Sequence, residues 1–289
     1  MKKFSAVITT KNRRELLARA IDSVLAQTVG AENIECIVVD DASEDGTREA
    51  CENDSRIIYV RIDAKDSHGG NYARNQGVAR ATGEFITFLD DDDEWVSDKL
   101  EKQLALYESH PGAVIYCGRT LKKVSQNQTQ LLTVIPPKKH SGNLSRLIRT
   151  TYVTSTSCLF FPRKLLEQIG NFDERLTFWQ EYELCIRLAQ VAEFYFVAEP
   201  LVVCLDEVNV KSRVSNKVLN WKENTSYIRN KHKSLYDNLT FMENWAYHAT
   251  LMKDAFRRHQ RAGKTFLKFY YGFLRLVVEY IPSKLLHLF

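Results

Sequence analysis

The stretch GGNYARNQGVARATGEFITFLDDDDEW, residues 69–95, decides how this chain is read. Two glycines open a turn, residues 71–82 carry a helical pattern, and Phe85-Ile86-Thr87-Phe88-Leu89 is a short β-rich apolar run. Four carboxylates, Asp90 to Asp93, follow at once. Adjacent like charges repel, so four of them at the end of a strand point to a cation that settles among them.

Outward from this stretch, the same alternation covers the first 118 residues. β-rich runs at 4–10, 33–39, 57–61, 84–89 and 113–117 are separated by helical patterns at about 13–28, 46–53, 71–82 and 97–109. That order predicts an α/β fold with a mostly parallel, Rossmann-like sheet flanked by helices. Ligands bind such sheets at the carboxyl ends of the strands. Thr9-Thr10-Lys11-Asn12 follows the first strand, Asp40-Asp41 the second and Asp90 to Asp93 the fourth, so the three clusters are expected to line one crevice. Residues 119–150 read as a polar, irregular loop region. A strand over 157–161, a turn over 170–176 and an amphipathic helix over 180–189 follow, and the pattern is helical and basic from about 211 onward.

On an extended chain Asp90 and Asp92 share a face, with Asp91 and Asp93 opposite. Two such carboxylates suit Mg²⁺ or Mn²⁺, whose shell is completed by water and substrate phosphates. Asp93, Glu94 and Asp98 are expected instead to serve the helix over 97–109, whose N-terminal dipole favours acids. In VVDDASEDGTREACE, Asp41, Ser43, Asp45, Gly46 and Glu52 fall at EF-hand positions. A buried-type strand precedes Asp41, however, where an EF-hand needs a helix. The reading is strand, turn and helix, with Ser43 or Asp45 as cap, leaving Asp40 and Asp41 free to accept hydrogen bonds from a base or ribose.

The six cysteines lie far apart, mostly in apolar runs, and read as buried free thiols of a reducing compartment. The N-terminus reads as a first strand, no stretch is long and apolar enough to span a bilayer, and a cytoplasmic location is expected. Residues 211–289 hold 15 Lys/Arg against 5 Asp/Glu, a net of +10, while residues 1–210 hold 25 against 31, a net of −6. On a helical wheel Arg257, Arg261, Lys264, Lys268 and Arg275 gather on one side, with Phe266, Phe269, Phe273, Leu276, Val277 and Tyr280 on the other. Such a face either lies peripherally on an anionic membrane or packs on the rest of the chain. The large apolar side argues against nucleic acid as partner.

The motifs VITTKNR, VVDDASEDGT, GGNYARNQGVARATGEFITFLDDDDEW and FWQEYELCIRLA, in that order, resemble the family 2 glycosyltransferases of GT-A fold over roughly residues 4–205. The resemblance implies a catalytic domain over 1–210, whose halves 1–118 and 119–210 bind the nucleotide-sugar and the acceptor, followed by the basic helical region 211–289. It implies a nucleotide-sugar donor, a UDP-sugar given the acidic pair Asp40-Asp41 that family members often use for uridine, a divalent metal at a D-x-D motif, and inversion at the anomeric carbon. Carried over, Thr9, Asp40 and Asp41 meet the nucleotide, Arg74 lies near base or phosphates, and Asp90-Asp91-Asp92 is the D-x-D. Asp92 and Asp90 are then the metal ligands and Glu181 the base, with Gln180 where the family has a first acid. Lys11 stands where the family often has an aromatic residue. Trp179 either stacks on an acceptor sugar or packs in the core. Bacterial relatives extend sugars on polyprenyl diphosphates for O-antigen, lipopolysaccharide or capsule. The alternatives are an inactive nucleotide-sugar-binding module and a phosphotransfer domain using Asp90 or Asp41 as nucleophile.

Overall fold

Ala6 and Ile8 are buried on one side of the first strand and Val7 on the other, which requires a layer on each face and makes this strand central. The computed structural model describes residues 3–124, 129–207 and 221–261, with 270 and 272. In it β1 (Phe4–Thr10) is joined in parallel by β2 (Ile34–Asp41) and β4 (Phe85–Asp90), and β3 (Ile58–Ile62) adds to β2, giving the order β3-β2-β1-β4. Leu17, Ala20, Ile21 and Val24 of α1 (Arg14–Leu25) cover the face that carries Ala6, Ile8, Cys36 and Val38. Their spacing of three and four residues is that of a helix stripe.

After α2 (Thr47–Glu52), helix α3 (Gly70–Arg80) covers the opposite face. It lies so close that a Cβ added at Gly77 would sit 2.3 Å from Val7 Cγ1 and 3.2 Å from Val39 Cγ2. Only a residue without a side chain lets the helix backbone reach the sheet here.

Beyond Asp90 the sheet becomes mixed. β5 (Asp93–Trp95), α4 (Lys99–Ser109), β6 (Val114–Val124), β7 (Thr129–Val134), β8 (Phe160–Pro162), α5 (Lys164–Ile169), α6 (Gln180–Leu188) and β9 (Phe194–Glu207) follow along the chain. The order continues β4-β8-β6-β9-β5 with β7 beside β6, and β8 turns antiparallel to β4. The loop expected over 119–150 is corrected: β6 runs on to Val124 and β7 returns against it, pairing Arg119 with Val134 through Val124 with Thr129. All of β7 is exposed, so no core imposes the alternation by which a strand is recognised in sequence.

Two compact units emerge. One comprises Met1–Leu144, Val153–Arg175 and Gln180–Glu207; the other comprises Ser145–Tyr152, Leu176–Trp179 and Val208–Phe289. In the second unit, α7 (Trp221–Lys231), α8 (Lys233–Asp237) and α9 (Phe241–Arg261) gather round the two short segments. The Trp221 indole donates to Asp254 at 2.8 Å, the Thr250 hydroxyl to the Thr150 carbonyl at 2.7 Å, and the Arg258 guanidinium lies 4.2 Å from the Phe178 ring centre. Arg257 is exposed on α9. Lys264, Lys268 and Arg275, with the apolar face expected of Phe266, Phe269, Phe273, Leu276, Val277 and Tyr280, lie outside the described residues.

Candidate active site

Register brings the three polar clusters to one edge. Thr10 lies beside Asp40 and Thr9 beside Asp90. Because side chains alternate along a strand, Thr9, Asp41 and Asp90 continue the α3 face of Val7, Val39 and Phe88. Thr10 and Asp40 continue the α1 face of Ile8 and Val38. The neighbours Asp40 and Asp41 therefore serve different layers.

Asp40 is fully buried. Its Oδ1 accepts the Ser43 N–H at 2.8 Å, and its Oδ2 accepts from the Tyr59 hydroxyl at 2.7 Å and from Arg61. The expectation that it is free to meet a nucleotide is corrected, since its own chain supplies three donors. These bonds hold the turn after β2, where Ala42 adopts a φ of 61°. That conformation is uncommon for a residue with a side chain. The turn is tied to the loop after β1: the Asn12 N–H donates to Ser43 Oγ at 2.8 Å, the Glu44 N–H to Asn12 Oδ1 at 2.7 Å and the Arg14 N–H to Asp45 Oδ2 at 3.0 Å. Asp45 also accepts from the Thr47 N–H at 3.2 Å, at the start of α2.

Asp41 differs. It is 7% exposed, its Oδ2 lies 3.3 Å from Lys11 Nζ, and its buried Oδ1 has no hydrogen-bond partner among the described residues. A buried acceptor left without a donor is costly, and a ligand N–H would satisfy it. Lys11 also donates to Ser67 Oγ at 3.1 Å.

Asp90 is bound by Arg74, whose Nη2 is 2.6 Å from Oδ1. Arg74 is buried on α3, with its guanidinium 5.7 Å from the centre of the Phe172 ring. The same helix grips the loop that follows α5. Asn71 donates to the Asp173 carbonyl at 2.8 Å, and Asn75 both donates to the Phe172 carbonyl and accepts its N–H, each at 3.0 Å. From the other side, Arg187 of α6 donates to the carbonyls of Ile169, Gly170 and Asn171. Arg187 is itself held by Glu183, which is fully buried and 2.8 Å away. The helix that opens with Gln180 and Glu181 is thus linked to Asp90 through one short loop. Trp179 is 8% exposed and has a φ of 61°, so its ring is packed rather than open for stacking on a sugar.

Past Asp90 the extended-chain reading is corrected, because the strand ends and Asp91 and Asp92 form a turn. Asp91 points inward, accepting from Thr10 Oγ1 and Arg13 Nη1, each at 2.8 Å. Burial pushes its carboxyl up to about 6 against the pull of Arg13. The same Arg13 nitrogen lies 3.4 Å from Asp92 Oδ2. Asp93 does not serve the following helix, which corrects the expectation from sequence. It belongs to β5, paired with Cys204, and is buried under a hydrogen bond from Ser157 Oγ at 2.7 Å. Burial, then Asp90 and Asp92, hold its pKa well above the usual carboxylate range.

Arg13 is the site residue that sequence reasoning misses. Its only signal is a cation in KNRR, three residues past the end of β1 at Thr10, in a sequence that also carries a run of acids.

Asp90 and Asp92 are hard oxygen donors, and no group of three or more His, Cys, Asp or Glu side chains gathers to hold a metal among the described residues. Two carboxylates fit Mg²⁺ or Mn²⁺ when phosphate oxygens and water complete the shell. The 38% exposure of the Asp90 side chain leaves room for such ligands.

This arrangement of sheet and helices is the GT-A fold of glycosyltransferases. Residues 5–170 match Glycosyl transferase family 2, and the chain belongs to that family. An uncharacterized glycosyltransferase of Rickettsia typhi is 32% identical over 206 residues, covering 68% of this chain and 62% of its own length. The amylovoran biosynthesis glycosyltransferase AmsB of Erwinia amylovora is 30% identical over 208 residues, 68% of each chain. The putative teichuronic acid biosynthesis glycosyltransferase TuaG of Bacillus subtilis is 36% identical over 131 residues, covering 44% of this chain and 50% of its own. Among solved structures, S. aureus TarS 1-349 in complex with UDP-GlcNAc superposes with a TM-score of 0.66 at 19% identity, covering 89% of this chain and 73% of that one. The mannosyltransferase PcManGT of Pyrobaculum calidifontis, in complex with GDP-Man and Mn²⁺, gives 0.55 at 19% identity, covering 97% and 85%.

Proposed function

We propose that the chain moves a sugar, with inversion, from a UDP-sugar to a hydroxyl of a saccharide acceptor carried on a polyprenyl diphosphate. The pathway would be the assembly of a bacterial surface polysaccharide such as O-antigen, lipopolysaccharide or capsule. The observation that carries the donor reading is the unpartnered, buried Oδ1 of Asp41, on the same sheet face as Asp90 and Arg74. UDP-GlcNAc in TarS supports uridine, and AmsB and TuaG support the pathway class. GDP-Man with Mn²⁺ in PcManGT keeps guanine and a metal in view for this fold.

In this reading Asp41 and Thr9 hold the base, and Arg74 steadies Asp90 beside the ribose and phosphates. A divalent cation, Mn²⁺ or Mg²⁺, held by Asp90 and Asp92 would offset the charge that grows on the departing diphosphate. Asp91 supports that turn from below through Arg13 instead of touching the nucleotide. Glu181 takes the proton of the acceptor hydroxyl as it attacks the anomeric carbon from the face opposite the leaving group. A placed base of this kind contributes roughly 10²–10⁴-fold in rate. One base and no covalent intermediate suffice for inversion.

The test is transfer from UDP-Glc, UDP-Gal and UDP-GlcNAc to a lipid-diphosphate sugar, with Mn²⁺. Glu181→Gln should lose about 10²–10⁴-fold of turnover while UDP binding stays within a few-fold of the wild type. Normal turnover in that variant refutes the assignment.

Membrane attachment is a separate proposal, and it rests on the net charge of +10 over residues 211–289. No helix among the described residues is long and apolar enough to cross a bilayer, and the contact proposed is peripheral. Flotation with anionic liposomes should fall when residues 255–289 are removed. Equal flotation of both forms rules the tail out.

A further inference from the structure

We propose that Lys11 sets the base specificity of the donor site, restricting it to bases with an imide edge, an N–H flanked by carbonyls. The proposal rests on the donor reading above and adds to it the residue that enforces the choice. Lys11 Nζ lies 3.3 Å from Asp41 Oδ2 and 3.1 Å from Ser67 Oγ. An ammonium has three N–H groups, so one is left to donate to a ligand. Asp41 Oδ1 is buried and has no donor, while Oδ2 of the same carboxylate already faces the ammonium. The pair therefore presents one unsatisfied acceptor with a donor next to it.

Uracil and thymine fit this edge, with N3–H on Oδ1 and a flanking carbonyl toward Lys11. Adenine and cytosine present a lone pair where Oδ1 needs a proton. Guanine has N1–H between O6 and an amino group. If the amino group shares the carboxylate, it meets the ammonium donor to donor. If O6 faces the ammonium instead, the amino group turns away from the carboxylate and loses its acceptor. Without Lys11 both oxygens of Asp41 become available, and guanine can engage them with two N–H groups.

Calorimetry on the full chain with UDP and GDP, each with Mn²⁺, tests this in the wild type, Lys11→Met and Lys11→Arg. Lys11 is exposed in the side chain, so neither substitution should disturb folding. The wild type should bind UDP at least about tenfold more tightly than GDP, the discrimination expected when one buried polar group is left unpaired. Lys11→Met should reduce that ratio by about tenfold, mainly through tighter GDP, and Lys11→Arg should retain it. An unchanged ratio in Lys11→Met, or a wild-type preference for GDP, overturns the role of Lys11. Binding of neither nucleotide to the wild type overturns the donor reading itself, and this inference with it.

Discussion

Arg13 and Asp91 form an ion pair of 2.8 Å between residues 78 positions apart, and the same guanidinium nitrogen reaches Asp92 at 3.4 Å. A single cation of the chain thereby balances two of the four consecutive acids. Asp91 is 5% exposed, so its charge depends on this partner. Replacing one member of such a pair leaves an uncompensated buried charge.

Arg13→Gln should therefore cost about 2 kcal/mol, below the range for a fully buried pair because the Arg13 side chain is 31% exposed. Adding Asp91→Asn should recover most of the loss. Urea denaturation of both variants checks this, and a double variant no more stable than the single one would show that the pair does not act as a unit.

Gly77→Ala sets two effects against each other. Alanine favours a helix interior over glycine by about 1 kcal/mol, but the new methyl would meet Val7 at 2.3 Å. Forcing a group into a packed layer costs about 1–3 kcal/mol, so the variant should be less stable than the wild type by thermal unfolding. A stabilised variant would mean that α3 does not lie this close to β1.

Lys99 is fully buried, 4.1 Å from the centre of the Trp95 ring, and donates to Gln103 Oε1 at 2.7 Å. Burial pushes its ammonium down to about 8. The folded-state pKa is depressed, so between pH 8 and about 10.4 the unfolded chain holds a proton that the folded chain lacks. Stability should rise with pH across that window, by up to about 3 kcal/mol, and the penalty is constant below it. Comparing the wild type with Lys99→Met by chemical denaturation from pH 7 to 10.5 isolates this group. Parallel curves for the two proteins would contradict it.

The parallel strands and the acids at their ends were legible because buried strands are written in unbroken apolar runs. Side-chain alternation along IECIVVDD also separates Asp40 from Asp41 in principle, though only the donors of Tyr59 and Arg61 reveal that Asp40 is already occupied. Residues 119–134 were opaque because an exposed hairpin carries no core face. Asp93 looked like part of the next helix because that helix is close in sequence. Its actual partner strand holds Cys204, 111 residues on. Arg13 was missed for the same reason, since its partners are fixed by sheet register and not by spacing.

The claim on which the rest depends is that Asp90 and Asp92, at the edge of the sheet, hold the cation that binds the diphosphate. Titration calorimetry with UDP, with and without Mn²⁺, tests it in the wild type and in Asp92→Ala. The wild type should give binding that strengthens with Mn²⁺, and Asp92→Ala should lose that increment by about a hundredfold in affinity, roughly the 2.7 kcal/mol expected of a lost ligand carboxylate. Equal Mn²⁺-dependent binding of UDP by both proteins would contradict the account.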